Sequence, residues 1–240
     1  MPKRAAIVTG ASRGIGLALA ELLGEEGFAL TITARKPIPL RQTAERLRER
    51  GFEVEHLAGN VADEETIREV VRLHRECFGR LDVLVNNAGV GIGAAASEHQ
   101  TKYVDLQLDV NLRAIVIFYR ECVDMLRAAG AEHRGALVVN MASIGGKSPQ
   151  PWLSVYSATK AAVIAYTQSM NRELSGDGIK SVAFCPGFVD TDMTEFIRET
   201  VPVEEMLRPQ DIAEALRFLL RVSPACVVPE IVFQRAGEAG

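Results

Sequence analysis

The sequence predicts an open α/β fold: a doubly wound sheet of about seven parallel strands with helices on both faces. Short β-branched apolar runs alternate along the chain with amphipathic stretches of ten or more residues. The runs are apolar almost throughout, as befits strands covered on both faces. Strand–helix alternation of this kind closes through right-handed crossovers, which gives a parallel, Rossmann-like sheet.

Taken in order, Ala5–Thr9, Ala29–Thr33, Val54–Leu57, Leu81–Val85, Ala136–Val139 and Ser181–Cys185 read as strands. The last apolar run, Val227–Phe233, contains Pro229, whose missing N–H would interrupt a ladder, so a seventh strand there belongs at the sheet edge. Between the strands, Ile67, Val70, Val71 and Phe78 share one face of a helix that stops before Gly79. Ile212, Leu216, Leu219 and Leu220 do the same in a late helix opened by Pro209. Asp190–Met206, polar in front and lying between helical segments, reads as a mobile flap. No repeat, low-complexity tract or Gly/Ser-rich linker divides the chain, so residues 1–240 are expected to form one domain.

Composition narrows the function. A net charge of -4 gives no electrostatic reason to expect nucleic acid or an anionic membrane as partner. No apolar run approaches the roughly 18–20 residues of a membrane span, and the chain enters a strand-like run at once, without a signal-peptide core. Cys77, Cys122, Cys185 and Cys226 lie far apart without metal-ligand spacing and read as small buried residues in a reducing compartment. A soluble cytoplasmic protein without a metal is expected. His56, His74, His99 and His133 are scattered and none pairs with a Ser or Cys motif, which speaks against a hydrolytic triad.

The first strand runs into "TGASRGIG" and then into the helical "LALAELLGEEG". Gly10, Gly14 and Gly16 sit where a backbone turns sharply, and the next helix offers free N–H groups to a pyrophosphate. The G-x-x-x-G-x-G spacing departs from G-x-G-x-x-G, and a tight strand–helix turn is the plainer alternative. Ser12 within it reads as a helix cap rather than a nucleophile. About twenty residues on, "LTITARKP" places Arg35 and Lys36 after the second strand, with no Asp or Glu from Phe28 to Leu40. An acidic residue there would serve an NAD ribose, whereas a guanidinium suits a 2′-phosphate, and Arg13 could join it. One such bond, worth about 1.5–3 kcal/mol, gives about 10- to 100-fold preference. NADP(H) is favoured over NAD(H); a solvated basic residue at a helix start is the alternative.

In "SVYSATKAAVIAYTQSMNRELSG", Tyr156 and Lys160 stand at i and i+4 near the start of a helix running to Gly176. A phenol with a pKa of roughly 10 becomes a useful acid or base only if that value falls. A drop of about three units needs on the order of 4 kcal/mol, which a neighbouring ammonium can supply. Such a pair alone also arises by chance. Thirteen residues upstream, however, "GALVVN" ends in "MAS", which puts Ser143 at the C-terminal end of a strand, where open α/β sheets hold ligands.

Together these blocks resemble the short-chain dehydrogenase/reductase family over nearly the whole chain: "TGASRGIG", "NNAG" (Asn86–Gly89), Asn111 in "DVNL", Ser143, "YSATK" and "PGFVDTDM" (Pro186–Met193). The resemblance implies an NADP(H)-dependent oxidoreductase interconverting a small carbonyl and an alcohol. Tyr156 would be the general acid/base, and Lys160 would lower its pKa and bind the nicotinamide ribose. Ser143 would hold the substrate oxygen, and Asn111 would anchor a water in the proton relay. Gly10, Ser12, Arg13, Gly14, Ile15 and Gly16 would line the phosphates, with Arg35 at the 2′-phosphate. Asn60 and Val61, following the third strand, would meet the adenine; the family often has Asp at the former position. Asn87 and Gly89 would pack beside the adenosine side. Pro186, Gly187, Val189 and Thr191 would face the nicotinamide, Thr191 binding its carboxamide.

Gln150, Trp152 and Phe188 would border the substrate pocket or serve as packing, and Val90, Ile92 and Ile144 lean towards an uncharged carbonyl. The helix around "NLRAIVIFYRECVDML", apolar on nearly every side, implies a homodimer or homotetramer, or else a fully buried helix. The tail lacks the family's common Asp-Gly-Gly ending. A non-catalytic NADP-binding sensor or scaffold, or a redox-neutral epimerase or dehydratase, would use the same fold.

Overall fold

Seven parallel strands line up in the order β3-β2-β1-β4-β5-β6-β7 in the computed structural model, which describes residues 3–237. The ends of the expected 1–240 unit, residues 1–2 and 238–240, lie outside the described residues. The strands are β1 (Ala5–Thr9), β2 (Ala29–Ala34), β3 (Val54–Ala58), β4 (Val83–Asn86), β5 (Ala136–Met141), β6 (Ile179–Pro186) and β7 (Glu230–Phe233). The order reverses between β1 and β4, so the crevice above their C-terminal ends is the topological switch point where such sheets take ligands.

Each face carries its own apolar layer. Helices α1 (Gly14–Glu25), α2 (Pro37–Glu49) and α7 (Pro209–Arg221) cover one face, with Leu19, Leu23, Leu40, Leu47, Ile212 and Leu216 against Val8, Ile32 and Val139. Helices α3 (Glu64–Phe78), α5 (Ala114–His133) and α6 (Ser154–Leu174) cover the other, with Ile67, Val70, Phe118 and Val163 against Ile7, Leu84 and Val138. Burial of each large side chain contributes roughly 1.5–3 kcal/mol, so continuous apolar strands between two helical layers supply most of the drive to fold.

Local chemistry sets the boundaries. Asp63 caps α3 by accepting from the Glu65 N–H at 3.2 Å, and Gly79, at φ 67°, ends it as expected. β7 takes the sheet edge: Pro229 stays outside the strand and lends only its carbonyl, to the Ala183 N–H at 3.0 Å. β4 begins at Val83 rather than Leu81, and just before it the buried Asp82 carboxylate meets the Ala5 N–H, Arg80 and His133. α6 stops at Leu174, before Gly176; Ser175–Asp177 tighten into a 3₁₀ turn that closes on left-handed Gly178.

Helix α4 (Thr101–Leu108) and α5 are joined by a π turn over Asp109–Arg113 that nothing in the sequence announced. Most apolar residues of α5, including Ile115, Ile117, Phe118, Tyr119 and Met125, are spent inside its own chain, while Val116 stays outside. The Asp190–Met206 stretch carries two 3₁₀ turns, Asp192–Ile197 and Val203–Glu205, and Val189 pairs with Leu207 beneath it.

Two other expectations are corrected. Cys77 is exposed and Cys226 half-buried; among the cysteines only Cys122 and Cys185 sit in the core. His99 does meet a serine, 3.1 Å from Ser154 Oγ, but the pair is exposed and no carboxylate among the described residues hydrogen-bonds the other ring nitrogen. His74 is a core residue between Thr31 and the Arg80 carbonyl, and burial lowers its pKa to about 4.

Candidate active site

The glycine turn follows β1 directly. Gly10 and Gly14 have φ of +66° and +55°, a region that only glycine enters cheaply. A Cβ on Gly16 would stand 2.3 Å from the Gly10 carbonyl oxygen and 2.4 Å from Asn87 Nδ2. That crowding explains why the third glycine is needed. Asn87 braces the turn, donating from Nδ2 to the Thr9 and Gly10 carbonyls at 2.9 and 3.3 Å. Thr9 Oγ1 in turn accepts from the N–H groups of Asn87 and Ala88, both at 2.9 Å. Asn87 therefore works as a brace of the loop.

The N-cap of α1 is Arg13, not Ser12, and no side chain caps the helix. Its first turn also carries no acidic residue, so the orphan N–H groups and the positive dipole end, with Gly14 and Ile15 at their head, stay available to an anion. A dinucleotide pyrophosphate fits this cradle. Ser12 instead gives its carbonyl to Thr43 Oγ1 of α2 at 3.2 Å. Arg35 is exposed at the end of β2 and, among the described residues, makes no hydrogen bond or ion pair, which suits a 2′-phosphate. Arg13, expected beside it, is ion-paired with Asp192 of the flap. Thr191 packs onto the same turn, its Cγ2 lying 3.0 Å from where a Gly14 Cβ would be.

Further along the crevice, Val61 is buried and Asn60 exposed, the Asn60 Oδ1 accepting from the Ala62 N–H at 3.2 Å. Gly187 is tied to β7 through its N–H to the Phe233 carbonyl at 2.8 Å, and Pro186 offers its carbonyl to Ser143 Oγ at 3.5 Å. Val189 is buried, and its carbonyl accepts from Thr194 Oγ1 at 2.6 Å.

Ser143 and Tyr156 converge on Gly145: a Cβ there would lie 3.5 Å from both Ser143 Oγ and Tyr156 Cε1. Ser143 Oγ also accepts from the Gly145 N–H at 3.1 Å, which fixes its rotamer. Burial raises the Tyr156 pKa above the ordinary phenol value, and a hydrogen bond from Ser143 opposes the rise. Lys160 stands beside the same ring. The ammonium sits buried under the site, donates to the Met141 carbonyl at 2.7 Å, and lies 5.7 Å from the centre of the Tyr156 ring. Burial lowers the Lys160 pKa to about 8.

Asn111, in the π turn, is fully enclosed, and its amide clamps the Val90 backbone in both directions. Oδ1 accepts from the Val90 N–H at 2.8 Å, while Nδ2 donates to the Val90 carbonyl at 2.9 Å and to Thr159 Oγ1 at 3.1 Å. The Asn111 side chain is thus a backbone clamp, and its Oδ1 lies 3.4 Å from the Gly89 Cβ position, as does Lys160 Nζ. π turns recur at functional sites because the extra residue re-aims one side chain.

A buried polar ladder below the site was not anticipated. Asn86 Nδ2 donates to Asn140 Oδ1 at 2.9 Å, and Asn140 Nδ2 donates to Thr167 Oγ1 at 3.0 Å and to Tyr119 Oη at 3.3 Å. The Tyr119 hydroxyl donates to Ser181 Oγ at 2.7 Å. Only a polar residue midway along an otherwise apolar strand, Asn140 in "ALVVNM", could have signalled it.

The mouth is aromatic. Trp152, half exposed, has φ of +58°, costing a bulky residue about 1–2 kcal/mol. Its ring meets Phe196 of the flap edge-to-face at 5.9 Å between centroids. Gln150 stays exposed and donates to the Ser148 carbonyl at 3.2 Å. No helix among the described residues is long and apolar enough to cross a membrane, and none of their His, Cys, Asp and Glu side chains group to hold a metal.

Comparison with known proteins agrees with this geometry. Residues 4–202 match the short chain dehydrogenase family. A Streptomyces coelicolor protein provisionally named a ketoacyl reductase is 35% identical over 245 residues, covering 94% of this chain and 93% of its own. An uncharacterised oxidoreductase of Staphylococcus aureus strain USA300 is 33% identical, with 90% of each chain covered. Among solved structures, a single-residue variant of actinorhodin polyketide ketoreductase with NADPH superposes with a TM-score of 0.87 at 32% identity, covering 97% of both chains. A short chain dehydrogenase from Burkholderia cenocepacia in complex with NADP gives 0.87 at 27% identity, again over 97% of both chains. With a glycine turn under an uncapped helix, and a serine and a tyrosine meeting at the end of β5, the chain belongs to the short-chain dehydrogenase/reductase family.

Proposed function

We propose that this protein is an NADP(H)-dependent oxidoreductase, acting as one domain, that interconverts a small carbonyl compound and its alcohol. The convergence of Ser143 Oγ and the Tyr156 ring on Gly145, above a buried lysine, carries the reading. When bound, the nicotinamide supplies or accepts the hydride.

The chain's own groups handle the proton. Ser143, held by the Gly145 N–H, orients the carbonyl oxygen. Tyr156 Oη donates a proton to that oxygen in reduction and takes it back in oxidation. Burial holds the phenol in its protonated form, and the hydrogen bond with Ser143 works against that rise. Lys160 keeps a cation at the foot of the site, where it limits the cost of the phenolate left behind. Asn111 holds Val90 against the helix bearing Tyr156 and Lys160. Arg35 selects the 2′-phosphate, and the α1 N-terminus binds the pyrophosphate. The NADP- and NADPH-bound relatives support that cofactor choice.

The test is an absorbance screen at the reduced-nicotinamide band, with NADPH and NADH each offered a panel of ketones, aldehydes and ketoacyl thioesters. NADPH oxidation by one class is expected. Tyr156→Phe should abolish turnover while NADPH still binds; an undiminished kcat in that variant removes Tyr156 from the chemistry. Sedimentation velocity checks the expected homodimer or homotetramer.

A further inference from the structure

We infer that Trp152 and Phe196 form a specificity gate that selects carbonyl substrates carried on a flat apolar frame, such as aryl or fused-ring ketones. The inference deepens the oxidoreductase reading and rests on it for the word substrate, but binding to the gate can be measured without turnover.

Three chain segments meet at Trp152. Its carbonyl accepts from the Ala94 N–H at 2.8 Å, so the segment before α6 is stitched to the loop after β4. Its ring lies on the Gly93 backbone so closely that a Cβ there would stand 1.9 Å from Cε3 and 2.2 Å from Cζ3. Phe196 closes in from the flap. With Gly93 beneath it and Phe196 at 5.9 Å, the indole is still 51% exposed, and Phe196 is 59% exposed. A bulky residue in the left-handed region, with its ring left half in water, is fixed there by its surroundings and not by burial.

The same loop links this ring to the reacting phenol. A Cβ on Gly91 would lie 3.5 Å from Tyr156 Cδ2, and Gly93, two residues on, lies under Trp152. Two residues of chain span at most about 7 Å. In the proposed gate, a flat frame on a carbonyl at Tyr156 extends along the Gly91–Gly93 stretch towards the open part of the indole, where aromatic surfaces prefer edge-to-face or offset contact. A short aliphatic ketone does not reach that far.

Trp152 is the only tryptophan of the chain, so intrinsic emission reports on this one ring. Two probes, 1-tetralone and 2-butanone, are titrated into the NADPH-loaded protein, with inner-filter correction against free N-acetyltryptophanamide. The expected result is a saturable change in emission with 1-tetralone and none with 2-butanone. In parallel, kcat/KM is measured for both ketones in Trp152→Gly, which deletes the ring while relieving the left-handed backbone, and in Phe196→Ala on the exposed flap. At least a tenfold loss for 1-tetralone is expected in Trp152→Gly and about fivefold in Phe196→Ala, with 2-butanone changed less than twofold. Equal losses on both ketones, or an emission silent to 1-tetralone while 2-butanone turns over, overturns the gate and leaves the oxidoreductase reading standing. Saturable emission without turnover of any ketone supports the gate and overturns the oxidoreductase reading instead.

Discussion

The β1–β3 half of the sheet and the β4–β6 half build their shares of the site by opposite means. On the first, the working groups are backbone N–H groups at an uncapped helix start, shaped by Gly10, Gly14 and Gly16. On the second, the groups we propose to work are side chains: Ser143, Tyr156, Lys160 and Asn111, three of them buried and all held by polar contacts from other elements. An anion is met by fixed dipoles, which need space and a particular turn. Proton transfer needs groups that titrate, and these must be taken out of water and steadied. The turn of the first half has no room for an added atom at Gly16, whereas the polar groups of the second depend on their partners.

The largest break in that contrast is expected at Gly16. Gly16→Ala pushes a methyl into the Gly10 carbonyl and the Asn87 amide that braces the turn. A loss of about 2–3 kcal/mol in urea unfolding is expected, together with loss of saturable NADPH binding. Unaltered NADPH affinity would place the phosphates elsewhere.

Lys160→Met sharpens the other side. The folded pKa of about 8 lies below the free lysine value of 10.5, so between them the unfolded chain holds the extra proton and folding strengthens as pH rises. Below about pH 8 the buried charge instead costs on the order of 3 kcal/mol. Removing it should flatten the rise in stability between pH 8 and 10 in denaturant titrations. A parallel rise in both proteins would show that Lys160 is not the titrating group.

The smallest effect lies at the rim of the first half. Arg35→Ala should weaken NADPH by about 10- to 100-fold and leave NADH nearly unchanged. Equal losses for the two nucleotides would count against a 2′-phosphate contact.

The same contrast decides what can be read from a sequence. β1 was legible residue for residue and β2 to within one residue, since continuous apolar runs between turn signals leave little choice. The glycine turn was legible because its chemistry is local. Tyr156 and Lys160 were legible only as an i, i+4 pair; that the ammonium goes to Met141 depends on a strand nineteen residues away in sequence. Asn111 stood out by motif, but its clamp on Val90 requires the π turn, which has no sequence signature. The Asp192 partner of Arg13 lies 179 positions along the chain. Long-range polar pairing hides from any local pattern.

That last contact has a thermodynamic corollary. A nucleotide that draws Arg13 onto its phosphate must part it from Asp192, a rivalry worth about 1 kcal/mol or less for so exposed a couple. By reciprocity, whatever displaces the flap makes the guanidinium more available, and whatever captures the guanidinium loosens the flap. Coenzyme grip and the position of the flap would thus be weakly coupled through this pair, and added salt would weaken the coupling.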